Sequence, residues 1–208
     1  MRILAIESAT EACSVALFDN GSLLGHFHEV LGRGHAEHLV PAIAALPGKG
    51  RADRIVVSLG PGSFTGVRIG LAAARALGLA WTCEVLGYPT LALVATMARA
   101  AHPGEPVTVC MTGGHGEWFV QPFGPSGMPD GPWASVTPQA ALASDDNRLI
   151  AGNKARELAE LGDGNKVALD LLPDARHALS LPPALFTADL APIYGRAPDA
   201  KLPGGLAA

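Results

Sequence analysis

The stretch Gly60-Pro61-Gly62-Ser63-Phe64-Thr65-Gly66-Val67-Arg68-Ile69-Gly70 limits what this chain can become more than any other. Before it lies a short apolar run, residues 55–59, that reads as a buried strand. After it lies an alanine-rich run, residues 71–80, with high helix propensity. A strand, a glycine turn and a helix in that order can turn free backbone N–H groups toward an anion. Gly66, Gly70, Ala74 and Gly78 recur every four residues and so share one side of the helix. Glycine inside a helix costs about 0.5–1 kcal/mol relative to alanine, so the stripe is expected where another element comes close. Arg68 and Arg75 are the only charges along the helix. A surface helix should show a polar half, and this one does not, so we expect cover on both sides, from its own sheet and from a second body. The other reading is a central helix buried wholly within its own domain, a feature of fold and not of function.

Bulk properties agree with a hidden face. Charged residues make up 16% of the chain, against an ordinary share of about a quarter, which suggests surface covered by a partner. The net charge of −4 excludes a strongly basic nucleic-acid footprint, so any RNA contacts would fall mainly to another subunit. Cys13, Cys83 and Cys110 are scattered and odd in number, which fits buried thiols in a reducing compartment. The first apolar run, residues 3–6, ends at Glu7 and is too short for a signal peptide. No apolar run reaches membrane-spanning length. The expectation is a soluble, cytoplasmic protein with no membrane partner.

The chain of 208 residues allows one large domain or two small ones. It opens with three predicted strands, residues 2–7, 12–19 and 22–29, the last two joined by Asp19-Asn20-Gly21, a tight hairpin signal. A helix over 35–46 follows, with Pro41 inside it predicted to kink it. Beyond the glycine stretch a strand at 84–86 leads to a helix over 90–100, with Thr90 as the expected cap. The breakers His102-Pro103-Gly104-Glu105-Pro106 mark a domain boundary. The expected division is a first subdomain over 1–101, a smaller second one over 102–190 and a tail over 191–208. In the second, strands are predicted at 107–111, 118–123 and 148–151, and helices at 138–143, 153–161 and 175–181.

Several segments together carry a resemblance. Ile6-Glu7-Ser8-Ala9-Thr10, Ala12-Cys13-Ser14-Val15-Ala16-Leu17 and the eleven-residue glycine stretch resemble the bacterial threonylcarbamoyladenosine biosynthesis subunit family TsaB, also called YeaZ. His35-Ala36-Glu37-His38-Leu39-Val40-Pro41 and Pro192-Ile193-Tyr194-Gly195-Arg196 look like two further family segments. The likeness is strong over residues 1 to about 100 and weak from there to about 187. It implies an α/β fold of the actin/Hsp70/sugar-kinase type, two ribonuclease-H-like halves with a mixed sheet that opens on an antiparallel three-strand meander. It implies a subunit without catalytic activity of its own. Such a subunit pairs with the catalytic paralogue TsaD and the ATPase TsaE to modify N6 of adenosine 37 in tRNAs reading ANN codons, meeting tRNA only through the complex. It implies an interface built from His35, His38, Leu39, Gly62, Phe64, Gly66, Arg68, Gly70, Ala74 and Arg75. It implies no cofactor of its own, with ATP or ADP placed, if anywhere, at the subunit junction. Two departures bear on nucleotide binding. Glu7 stands where the family has Asp, and Met111-Thr112-Gly113-Gly114-His115-Gly116-Glu117 lacks the family's Asp-Ala-Arg.

The residues support other chemistries less well. A nucleotide site would use Glu7, Thr10, Gly60, Gly62, Ser63 and Thr65, but the loop lacks the lysine of a P-loop, and its glycine spacing is one too long for a dinucleotide fingerprint. That reading corresponds to a small-molecule kinase or ATPase of the same fold. His35 and His38, three apart, could approach one metal, but no third ligand is near and no metal is expected. A glycoprotease-like metallopeptidase would need His-x-x-x-His, which is missing. Glu7 with Asp19 could be read as an acid–base pair, although Asp19 is more simply a turn residue. No cysteine has a His or Lys at useful spacing. Arg68 and Arg75 could clamp a carboxylate or phosphate, or pair with acids on a partner helix. Without its partner a smooth helix can self-pair into a homodimer.

Overall fold

Two five-stranded sheets appear in the computed structural model, which describes residues 1–195. Arg196 and the tail to residue 208 lie outside the described residues. The first sheet holds β1 (Arg2–Glu7), β2 (Ala12–Asp19), β3 (Ser22–Val30), β4 (Arg54–Ser58) and β5 (Glu84–Tyr88), in the order β3-β2-β1-β4-β5. β2 runs antiparallel to both neighbours, whereas β1, β4 and β5 are parallel. The β2–β3 turn forms because Asn20 and Gly21 take φ of 48° and 83°, which Asn and Gly tolerate.

The second sheet holds β6 (Val107–Thr112), β7 (Trp118–Phe123), β8 (Ala134–Val136), β9 (Leu149–Ala151) and β10 (Val167–Leu169). Its order, β8-β7-β6-β9-β10, repeats that of the first sheet, with the same antiparallel and parallel pairings. The helices are α1 (His35–Ala45), α2 (Phe64–Trp81), α3 (Thr90–Ala101), α4 (Pro138–Ala143) and α5 (Ala155–Leu161). This duplicated, mixed sheet with crossover helices is the actin/Hsp70/sugar-kinase type of α/β fold. Among the described residues no helix is long and apolar enough to cross a membrane.

Strand alternation sorts the core into layers. On β1, Leu4 and Ile6 face α1 and α2, together with Leu39, Ile43, Val67 and Leu71. Ala5, with Val56 of β4, faces α3 and the second sheet, where Leu91, Val94, Val107 and Phe123 join one central cluster. Outside the second sheet, Cys110, Val120 and Ile150 pack on Ala155 and Leu158 of α5. α3 is buried along most of its length because it lies between the two sheets.

The sequence expectations fail in a few places. Thr90 is not a cap: Pro89 holds that position, and the Thr90 N–H donates to Gly60 O at 2.8 Å. β8 and β10 went unpredicted, being three residues each. Residues 175–180 form a 3-10 turn rather than an α-helix. That turn does not belong with the second sheet alone. Ala175 and Ala178 are buried in the central cluster, and the turn packs on β1, β2 and β3. Asp174, itself buried, accepts from Arg176 N at 2.9 Å and Nε at 2.8 Å and from Ser14 Oγ at 3.4 Å, with His28 Nδ1 3.7 Å away. Burial raises its carboxyl, but the Arg176 hydrogen bonds and nearby His28 hold it below its ordinary value. Asp174→Ala would leave the Arg176 backbone N–H and Nε short of an acceptor. We expect a loss of about 2 kcal/mol in stability, read from the urea midpoint at pH 7.

From Thr187 the chain runs as a strap back across the first half. Gly87 and Thr187 exchange backbone hydrogen bonds of 2.7 and 3.0 Å, and Ile193 N donates to Leu59 O at 2.7 Å. Leu190 and Ile193 pack against the α1–α2 side of the core.

Candidate functional site

The glycine stretch turns inward. Ser63 caps α2 by accepting from Gly66 N at 3.2 Å, and Ser63 N donates to Ala9 O at 2.6 Å. Ser8 Oγ donates to Gly66 O at 2.9 Å. A Cβ on Gly66 would collide with Ser8 O, one on Gly62 with Ala9 O, and one on Gly70 with Ser8 Oγ. A Cβ on Gly78 would strike Val85, and Ala74 is fully buried. The small-residue stripe therefore admits the chain's own β1 end and β5. The expected approach of a foreign backbone to Gly66, Gly70 and Ala74 is wrong for this reason. His35 and Leu39 are also turned inward: His35 Nε2 lies 3.2 Å from Ala12 O, and Leu39 is in the core.

The opposite face of the same two helices is open. On α2 it carries Phe64, Thr65, Arg68, Ala72, Arg75, Ala76 and Leu79. Beside it α1 presents Ala36, His38, Val40, Pro41 and Ala44. Phe64, Val40 and Leu79 are 47%, 55% and 84% exposed, unusual for large apolar side chains on helices with adequate cores of their own. The two arginines lean on the strap. Arg68 lies 3.5 Å above the Phe64 ring and donates to Tyr194 OH at 2.9 Å, and Arg75 donates to Leu190 O at 3.0 Å. Val40, Ala72 and Leu79 were missed in the sequence. Their spacing from Ala36, Arg68 and Ala76, three or four residues, was the signal available.

Only part of the set proposed for a nucleotide comes together. Glu7 is sealed beneath the loop, where Oε1 accepts from Ala9 N at 2.8 Å and Ser58 Oγ at 2.9 Å. Burial raises its pKa to about 7 against these opposing hydrogen bonds. Asp19 pairs with Arg2 at the far end of the strand whose other end is Glu7, so the two carboxylates form no acid–base pair. Gly60 is buried beneath the strap at Ile193 O, and Thr65 lies on the open face of α2. Thr10, Gly62 and Ser63 do line a cleft of about 700 Å³ between the two halves. Its other walls come from Glu11, Phe64, the turn at Gly113, Gly114 and His115, Phe119, Asn153 and Tyr194. Burial pushes the Cys13 thiol up to about 11 and Cys110 to about 12, unsuited to nucleophiles. Among the described residues no group of three His, Cys, Asp or Glu side chains could hold a metal.

The fold recurs in a solved structure, YeaZ from Pseudomonas aeruginosa. It is 32% identical, covers 86% of this chain and 89% of its own, and superposes with a TM-score of 0.75. The chain belongs to the TsaB/YeaZ family. Among curated TsaB/YeaZ relatives, the Escherichia coli strain K12 "tRNA threonylcarbamoyladenosine biosynthesis protein TsaB" is 42% identical over 106 residues, 49% of this chain and 44% of that protein. The match thus spans about half the length of the curated relatives. The family described as "TsaD: tRNA N6-adenosine threonylcarbamoyltransferase" matches residues 25–123. The ethanolamine utilization protein EutJ from Carboxydothermus hydrogenoformans, 11% identical with a TM-score of 0.50, shares the fold alone.

Proposed function

We propose that this chain is a partner subunit, without chemistry of its own, in the cytoplasmic assembly that makes threonylcarbamoyladenosine in tRNA. It docks a TsaD-like catalytic subunit through the open face of α1 and α2, and a TsaE-like ATPase joins the resulting complex. The observation that carries this reading is an apolar helix pair left uncovered on a protein whose own core is complete. The names of the E. coli relative and of the TsaD family match support the pathway, and the TsaD match includes both helices. Any ATP or ADP would sit at the junction with the partner, away from the sealed Glu7. tRNA would be met through the complex, in keeping with the net charge of −4.

The test is co-purification with the TsaD-like subunit. Ala72→Arg and Leu79→Glu place charge on the open face without touching the core. Each should abolish stoichiometric co-purification while leaving the urea midpoint within about 0.5 kcal/mol of the parent. Retained assembly and retained tRNA modification in both variants would remove this face from consideration.

A further inference from the structure

The open side of α2 has a period as well as an exposure. Thr65, Arg68, Ala72, Arg75 and Leu79 are all exposed and fall three and four residues apart in turn. That alternation is the seam of a left-handed helix pair, in which a second helix lies nearly along the first and facing positions recur every seven residues. An ordinary seam is apolar at every step. Here Arg68 and Arg75 put a charge at every second step, about 10 Å apart along the helix axis.

Both guanidiniums are held before any partner arrives. Arg68 Nε donates to Tyr194 OH at 2.9 Å, with the group stacked 3.5 Å above the Phe64 ring, and Arg75 Nη2 donates to Leu190 O at 3.0 Å. Both acceptors are neutral. A guanidinium has five N–H donors, so each arginine keeps most of its own, and among the described residues neither meets a carboxylate. α2 contains no Asp or Glu, and Glu37, the one acid of α1, lies over Gly34 at that helix's start. A helix seated on the seam would strip water from two cations, which is costly unless an anion accompanies each. Side chains already fixed by the strap lose little further freedom on pairing.

We propose that the partner seats a helix along this seam and that this helix carries two carboxylates seven residues apart, one for each of Arg68 and Arg75. This rests on the docking of the open face and adds the chemistry of what docks there. Binding of the full chain to the TsaD-like subunit, measured by surface plasmon resonance from about 50 to about 500 mM NaCl, should weaken at least tenfold as salt rises. The net charge of −4 acting at long range on an acidic partner would give the opposite trend, because salt would screen the repulsion. Arg68→Gln and Arg75→Gln should each weaken low-salt binding at least tenfold, with Arg75→Lys between parent and Arg75→Gln. Arg156→Gln, the same change of charge on the exposed side of α5, should bind as the parent does. Tyr194→Phe frees Arg68 from the strap but keeps both charges, and should cost less than threefold. A loss as large as that of Arg68→Gln would assign the effect to the strap and overturn the pairing. Salt-independent binding by the parent, or parent-like binding by both glutamine variants, overturns it while Ala72→Arg still abolishes assembly. So does a facing helix, identified by cross-linking from Leu79→Cys, that lacks Asp or Glu at this spacing. If Ala72→Arg leaves assembly intact, the docking face itself is wrong and the pairing falls with it. The salt dependence of the unaltered chain decides the matter even if an arginine variant fails to fold.

Discussion

Gly66→Val is expected to destabilise the protein by at least 3 kcal/mol. The added Cβ would enter the space of Ser8 O, a backbone atom that cannot swing aside as a flexible side chain can. Either α2 lifts from the sheet or the β1 end moves. The first breaks the Ser8 Oγ bond to Gly66 O, and the second disturbs the Ala9 contacts of both Ser63 and Glu7. Ala72→Val, six residues along the same helix but on its open side, should change stability by less than about 0.5 kcal/mol. Urea denaturation of both variants measures the contrast. An unchanged midpoint for Gly66→Val would show that the loop yields, and that the glycine is there for another reason.

Glu7 should make the folded state lose stability as pH rises from about 4.5 to about 7. Its pKa is 4.5 in the unfolded chain and about 7 in the fold, so between those values the native state holds the extra proton. The stabilisation is complete below 4.5 and is lost as pH passes through 7. The difference corresponds to roughly 3 kcal/mol. Burial explains the preference, against hydrogen bonds from Ala9, Ser58 and Tyr88 that favour the carboxylate. Glu7→Gln leaves this buried position uncharged at every pH. It should flatten this part of the stability–pH curve and stabilise the protein at pH 8. Parallel curves for parent and variant between pH 5 and 8 would place the titrating group elsewhere.

The architecture was largely visible in the residues. The meander, its Asn20-Gly21 turn and the strand–glycine–helix unit all carry strong local signals, and the breakers after residue 101 separate the two sheets. The short strands β8 and β10 were hidden because three residues show no alternation. The site was harder to read. A missing Cβ records that some backbone is close, but not whose. At Gly66 it is the chain's own Ser8, brought there by sheet pairing that no periodicity reveals. The open face of α2 was harder still, because its alanines read as ordinary helix formers. Glu11 and Asn153 meet across 142 residues of sequence, beyond any local pattern.

The strap has a consequence for the order of events during synthesis. Leu59 O waits for Ile193 N, and the edge of β5 at Gly87 waits for Thr187. Most of the polypeptide must leave the ribosome before the first half acquires these partners. Until then the nascent protein would expose the carbonyl of Leu59 and the rim of its earliest sheet. A stalled or truncated product ending before residue 187 should therefore be sticky, and a natural substrate for chaperones.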